Sequence, residues 1–251
     1  TELKFIARSG SGLENIDLKA CADLGIHVFN SPEGNRTAVG EHALGMLLML
    51  ANNLRRADRE VRNYEWRREA NRGWEIEGKT IGIIGHGMMG SAFTQRLAGF
   101  NCHVLVYDKY KSIEENQFIR NASMEEVYAA SDIVSLHIPL NEETRYLVSD
   151  TWFQGFQKPI VLINTSRGQV VDLRALYNAM ERGQVKGACL DVLEYEETSF
   201  EKINLNQEVF NLLRERDDVV FSPHVAGWTH ESYIKLSSYL ADKIEATFFT
   251  S

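Results

Sequence analysis

The sequence predicts an α/β fold, a doubly wound parallel sheet with helices on both faces. Three observations lead to it. Short apolar runs alternate with helical patterns between residues 80 and 222, and such alternation marks parallel βαβ units. The stretch Thr80-Ile-Gly-Ile-Ile-Gly85-His-Gly87-Met-Met-Gly90 joins one apolar run to a helical pattern through glycines. A second run, residues 103–108, then ends in Asp108, eighteen residues past Gly90.

Taken in order, residues 3–7 read as a short strand running into the flexible turn 8–12. A short helix over 16–24 is stopped by Gly25, and 26–29 is another strand. After the loop 30–34, Thr37 is expected to cap a long helix whose apolar residues between Ala43 and Leu54 face almost all ways, as in a helix buried on most sides. Its later part, 55–68, is basic and reads as a solvated face. Trp66 and Trp74 flank a charged loop, and either a partner surface or anchoring onto their own domain would explain them. Beyond the glycine turn, Ser123 and Glu126 form a capping box. Strands are expected at 133–138, 160–164, 185–192 and 219–222. A helix capped by Asp172 ends at Arg182-Gly183. The segment 194–207 is acidic and irregular. A final helix, capped by Thr229, sets Tyr233, Leu236, Tyr239, Leu240 and Ile244 on one side.

Each glycine of the turn has a physical role. Gly85 permits the tight turn out of the strand, Gly87 leaves room for a pyrophosphate, and Gly90 lets helix and strand pack closely. The phosphate would rest on the unpaired N–H groups of the helix N-terminus. Strand, helix, strand and acid in register identify a dinucleotide-binding (Rossmann) unit. Asp108 favours NAD over NADP, because a carboxylate accepts from a ribose 2′-OH and repels a 2′-phosphate. Lys109 and Lys111 soften that preference.

Composition narrows the function. A net charge of −8 and a pI near 5.4 argue against a nucleic-acid partner. Cys21, Cys102 and Cys189 are far apart and form no C-x-x-C, so reduced thiols in a cytoplasmic setting are expected. No run approaches the length of a membrane span, no signal peptide is visible and no metal-ligand spacing occurs.

In open α/β sheets the ligand crevice lies beyond the carboxyl ends of the strands. There stand Gly85-His-Gly87, Asp108, Pro139-Leu140, Ser166-Arg167-Gly168, Asp191 with Glu194 and Glu196 beyond it, and Pro223-His224. A cation, a carboxylate and an imidazole beside a dinucleotide are what oxidation of a hydroxy acid needs. An arginine fork binds a carboxylate bidentately. A histidine exchanges the hydroxyl proton, and a nearby carboxylate orients the imidazole and favours its protonated form. Singly, Arg167 could cap carbonyls, Glu196 could be one more acid in an acidic loop, and His224 could be a satisfied loop histidine. Their shared location favours the functional reading. The remaining histidines, His27, His42, His86, His103, His137 and His230, are expected in structural or surface roles.

The motifs resemble those of the D-isomer-specific 2-hydroxy acid dehydrogenases. They are Ala7-Arg-Ser-Gly-Ser-Gly-Leu-Glu-Asn-Ile-Asp17, Gly78 to Gly87, Ile163-Asn-Thr-Ser-Arg-Gly168, Leu190-Asp-Val192 and Ser222-Pro-His-Val-Ala-Gly227, in that family's order. The resemblance implies Arg167 as the substrate-binding arginine, His224 as acid/base, and Glu196 rather than Glu194 as its partner. It implies cofactor contacts at Gly85, Gly87, Met88, Met89, Gly90, Asp108, Pro139, Thr144, Thr165 and Asp191, with Thr165 and Asp191 at the nicotinamide carboxamide. Backbone N–H groups around Ser11 and Gly12 would take the substrate carboxylate. It also implies a homodimer paired through the long helix and the Trp66–Trp74 loop. Substrates would be small D-2-hydroxy or 2-oxo acids, 3-phosphoglycerate among them. The alternative is a non-catalytic, dinucleotide-sensing interaction protein.

Two departures from the family pattern stand out. Met88 occupies a place where a basic residue is usual. The family's chain also begins earlier, so residues 1–36 and 228–251 are expected to be the incomplete remnant of a second, flavodoxin-like substrate domain, and 37–227 the dinucleotide-binding domain. The natural protein is expected to carry further N-terminal residues before Thr1. The chain from Thr1 onward is then expected to bind NAD yet be poorly active, since nothing excludes water from the reaction site.

Overall fold

The computed structural model describes residues 2–196 and 207–249; most of the acidic segment expected over 194–207 therefore lies outside the described residues. The chain opens with β1 (Phe5–Arg8), α1 (Leu18–Asp23), β2 (His27–Asn30), α2 (Pro32–Ala51) and α3 (Leu54–Arg62). The glycine turn joins β3 (Thr80–Ile84) to α4 (Met88–Leu97), followed by β4 (His103–Tyr107), β5 (Ile119–Asn121), α5 (Met124–Ala130), β6 (Ile133–Leu136) and the short α6 (Asp150–Gln154). Then come β7 (Ile160–Asn164), α7 (Leu173–Glu181), β8 (Val185–Leu190), α8 (Glu208–Arg214), β9 (Val219–Phe221) and α9 (His230–Phe248).

Seven strands form one sheet in the order β5-β4-β3-β6-β7-β8-β9, every neighbouring pair parallel. The chain leaves β3 for one edge and returns to its other side at β6, which places the switch point beside the glycine turn. Alternate residues feed two cores. Val134, Leu136, Ile160, Leu162 and Leu190 pack with α5, α6 and α7 on one face. Ile81, Ile83, Val104, Val106, Val161 and Ile163 meet α2 and α4 on the other. Burial on both faces explains why these strands read as apolar runs. Each large side chain so buried contributes on the order of 1.5–3 kcal/mol.

β1 and β2 pair with each other in a separate parallel sheet. It is tied to the end of α9, where Phe248 meets Phe5, Phe29 and His27 at ring-centroid distances of 5.5, 6.3 and 5.3 Å. Lys243 of α9 donates to the Asn30 carbonyl and pairs with Glu33 at 2.9 Å. Leu236 and Leu240 are buried, whereas Tyr233 and Tyr239 of the expected apolar side are exposed.

The long helix differs from the sequence reading at both ends. It starts at Pro32 with Ser31 as its N-cap, so Thr37 lies inside it; proline's fixed φ suits a first helical position. It stops where Asn53 turns left-handed (φ 52°), so the basic stretch forms a separate helix. Asparagine tolerates that conformation better than most residues. The basic face is also less solvated than expected, because Arg55 donates to the Val219 carbonyl and Arg59 pairs with Asp217, tying α3 to the start of β9. Trp66 is exposed, while Trp74 packs on the α2 core with Lys186 over its ring. The edge strand β5 and the short helices α6 and α8 were not visible in the sequence pattern.

Helix α2 passes close enough to α9 that a Cβ on Gly34 would sit 2.6 Å from the Leu236 backbone nitrogen. Gly34→Ala should therefore push the two helices apart. The expected net loss is about 1–2 kcal/mol, overpacking outweighing the alanine's helix propensity. Urea denaturation checks this, and a more stable variant would show that the helices separate freely.

Candidate active site

The glycine turn is built as the spacing requires. Gly85 has φ +85°, and a Cβ there would lie 2.6 Å from the His137 carbonyl oxygen. At Gly90 an added Cβ would collide with the Gly85 carbonyl, so α4 can approach β3 only through a glycine. Around Gly87 nothing lies within 4 Å of an added Cβ. That open side, with the N-terminus of α4 beginning at Met88 and Met89, is a cradle for an anionic group. Asp108 stands beside it and accepts from the backbone N–H groups of His86 (2.8 Å) and Tyr110 (3.0 Å). Burial works to raise its pKa, but these donors and the Lys111 charge prevail and hold the carboxyl below its ordinary range. Pro139 and Thr144 close one loop, the threonine hydroxyl donating to the Pro139 carbonyl at 2.6 Å. The Thr165 hydroxyl, beyond β7, is buried with no hydrogen-bond partner among the described residues. An open glycine, an ionised acid at the second strand and an orphaned buried hydroxyl together fit a dinucleotide.

Arg167 follows β7 in a turn organised by Asn164. The Asn164 amide donates to the Arg167 carbonyl, and its oxygen accepts from the Ser166 N–H and hydroxyl. The Arg167 Nε lies 2.6 Å from Glu14 Oε1. This arginine therefore already grips a carboxylate, and although burial opposes it, the guanidinium holds Glu14 below the usual carboxylate range. Gly12 is packed against the same pair, since a Cβ there would run into both Glu14 and Arg167. Ser11 donates its hydroxyl to Asn35 at 2.8 Å. The sequence reading did not single out Glu14.

Asp191 ends β8, 1% exposed. Its carboxylate accepts from the Ser222 hydroxyl (2.5 Å) and from the N–H groups of Val225 and Ala226 (2.9 Å each), while its carbonyl accepts from the His224 N–H at 2.7 Å. These bonds hold His224 in a left-handed conformation (φ 55°) at the sheet's edge. The ring's Nδ1 lies 2.6 Å from Glu196 Oε2, and Glu196 Oε1 accepts from the Leu193 N–H at 2.5 Å. Glu194, the other candidate acid, turns away. It accepts from the Leu173 N–H at the start of α7, and burial raises its pKa. Gly168 touches the backbone at Leu193 and Glu194 so closely that a Cβ would collide with it, which locks the Arg167 turn to the loop carrying Glu196.

Three histidines expected to have no functional company have some. His42 Nε2 lies 2.8 Å from Ser222 Oγ and 3.5 Å from Asp191, bracing the His224 loop from α2. His86 and His137 lie by the glycine turn, each with a buried ring nitrogen lacking a partner among the described residues. No sequence spacing links His42 to residues 149 and 180 positions away, so only the fold could reveal it.

Comparison with known proteins places the chain among named relatives. Residues 44–226 match the family model of the D-isomer specific 2-hydroxyacid dehydrogenase, NAD binding domain. The chain is 35% identical over 244 residues to the D-3-phosphoglycerate dehydrogenase of Archaeoglobus fulgidus, covering 96% of this chain and 45% of that protein. It is 33% identical over 242 residues to the hydroxypyruvate reductase of Thermotoga maritima, covering 96% and 76%. The crystal structure of Aquifex aeolicus D-lactate dehydrogenase complexed with NAD and lactic acid superposes with a TM-score of 0.85 at 30% identity, over 98% of this chain and 76% of that one. The chain thus spans about half the length of its phosphoglycerate dehydrogenase relatives.

His137 generates a test of the buried turn. Burial, reinforced by His86, lowers its pKa from 6.5 to about 3. The unfolded chain takes up this proton near pH 6.5 and the folded chain only near 3. The stability at stake is therefore full above 6.5 and is lost as pH falls toward 3, at up to ~1.4 kcal/mol per pH unit. His137→Gln should flatten the pH dependence of urea denaturation between about pH 6 and about pH 4. An unchanged slope would assign that proton to another group.

Proposed function

The chain belongs to the D-isomer specific 2-hydroxyacid dehydrogenase family, and from that premise we propose that it is an NAD-dependent oxidoreductase moving a hydride between NAD(H) and a small D-2-hydroxy acid or its 2-oxo partner. 3-Phosphoglycerate is among the candidate substrates. The observation that carries this reading is the His224–Glu196 pair, 2.6 Å apart, at the same strand ends as Arg167 and the glycine turn. Residues 1–36 and 228–251 are assigned to the substrate domain and 37–227 to the cofactor domain. The separate β1–β2 sheet and its aromatic tie to α9 support that division.

In this reading Gly85, Gly87, Met88, Met89 and Gly90 receive the pyrophosphate and Asp108 the ribose hydroxyls. Pro139 and Thr144 wall the site, and Thr165 and Asp191 meet the nicotinamide carboxamide. When bound, the nicotinamide supplies the hydride acceptor or donor. Arg167 binds the substrate's carboxylate or carbonyl oxygen as a fork, exchanging its grip on Glu14 for the substrate. The N–H groups at Ser11 and Gly12 take the remaining carboxylate oxygen. With Nδ1 committed to Glu196, His224 exchanges the hydroxyl proton at Nε2. Glu196 fixes the ring's orientation and offsets its charge while it holds the proton.

His224→Ala should lower turnover on a panel of 2-oxo acids by on the order of a hundred- to ten-thousand-fold and leave NADH affinity nearly intact. Glu196→Gln should cost less and shift the pH–rate profile. The same titrations should rank NADH above NADPH. Parent-like rates for His224→Ala would overturn the mechanism. NADH binding without turnover of any 2-oxo acid by the full natural chain would favour a dinucleotide sensor instead.

The protein is further proposed to be a cytoplasmic homodimer. Its three cysteines are unpaired and buried. Leu54, Val61, Tyr64 and Trp66 leave an apolar surface exposed along α3 and the loop after it, of the kind that marks an interface. Light scattering at micromolar concentration should give twice the chain mass; a monomer mass would count against it.

A further inference from the structure

We infer that Arg36, on helix α2, is a cofactor-binding residue that reaches across to the glycine turn and takes the dinucleotide's pyrophosphate in its guanidinium fork. The inference rests on the cofactor reading above and adds to it a residue outside the turn.

A pyrophosphate brings two negative charges, and the turn has little to meet them. Residues 85–90 include no lysine or arginine. The N-terminus of α4 offers about half a positive charge. His86 is held neutral, its pKa lowered by burial and by the Lys111 charge, and its Nε2 is closed to solvent. Lys109, next to Asp108, is engaged with Glu143.

Arg36 is placed to supply what is missing. It is exposed, and its Nη1 lies 3.7 Å from the sulfur of Met88, the first residue of α4. A thioether is a weak acceptor, and Glu33, the acid whose charge Arg36 feels, is paired with Lys243 instead. Most of its five donors are thus uncommitted at the mouth of the cradle. Backbone packing sets this position. One turn further along α2, Gly40 lies so close to α4 that a Cβ would sit 2.8 Å from the Ala92 carbonyl carbon. Arg36 and Gly40 are four apart on one helix, as Met88 and Ala92 are on the other, so each pair shares a face. The close approach at Gly40–Ala92 therefore carries Arg36 to Met88. A guanidinium matches phosphate oxygens bidentately, which an ammonium does not.

The test is NADH fluorescence titration of the chain, with ADP-ribose as a competitor that keeps the pyrophosphate and lacks the nicotinamide. Arg36→Ala should weaken both ligands by about tenfold at low salt, and Arg36→Lys should recover part of the loss. The gap between parent and Arg36→Ala should narrow at about 0.5 M salt, as a charge contact at an exposed site requires. Parent-like affinity in Arg36→Ala overturns the inference. So does a loss that lysine does not relieve and salt does not change, which would reveal packing on Met88 instead. Absence of NADH binding by the parent itself would overturn the cofactor reading along with it.

Discussion

The candidate site depends on the Asp191 carboxylate. Removing such a group from water is costly unless donors replace the water. Here a serine hydroxyl and two backbone N–H groups do so, and all three come from the segment 222–226. The anion therefore fixes the path of the chain leaving β9. Along that path His224 takes a left-handed backbone, a conformation non-glycine residues seldom keep unless their surroundings impose it. The imposed turn aims the ring at Glu196. His42 braces the same carboxylate from α2, so the long helix contributes to the site although no part of it was read as catalytic.

Glycine governs the other half. Gly90 and Gly40 are places where two backbones approach closer than any side chain permits. Through them α4 is seated on β3 and α2 on α4. The open amides of the cradle are positioned by this backbone contact, while the Asp108 carboxylate and the buried Thr165 hydroxyl are set by the ends of β4 and β7. Most of them sit in loops held by a rigid sheet, the usual arrangement for ligand sites in such folds.

Much of this was legible in the sequence, for identifiable reasons. β6 and β7 are buried at every position and β3 and β8 at all but one, so they appear as largely apolar runs. The caps at Ser123, Asp172 and Thr229 were readable because a local side-chain bond defines each of them. β5 has three residues, and α6 and α8 are too short to show a period. The start of α2 was misread because Thr37 is a good capping residue by type, while Pro32 offered a rigid first position five residues earlier. Arg167, Glu196 and His224 could be singled out because each follows a strand. Glu14 and His42 could not, since their partners lie 153 and 149 or more positions away in the chain.

The contact at Gly168 bears on how this chain could be redesigned. The turn presenting Arg167 and the loop presenting Glu196 touch backbone to backbone, with no side chain between them to adjust. A substrate loop grafted from a relative would have to bring both segments together or neither. Lengthening one alone would tilt its neighbour and, through Glu196, the imidazole as well. Under the proposed mechanism, substrate range and proton transfer are thus coupled in sequence space: variants that broaden the first are drawn from the same few positions that sustain the second.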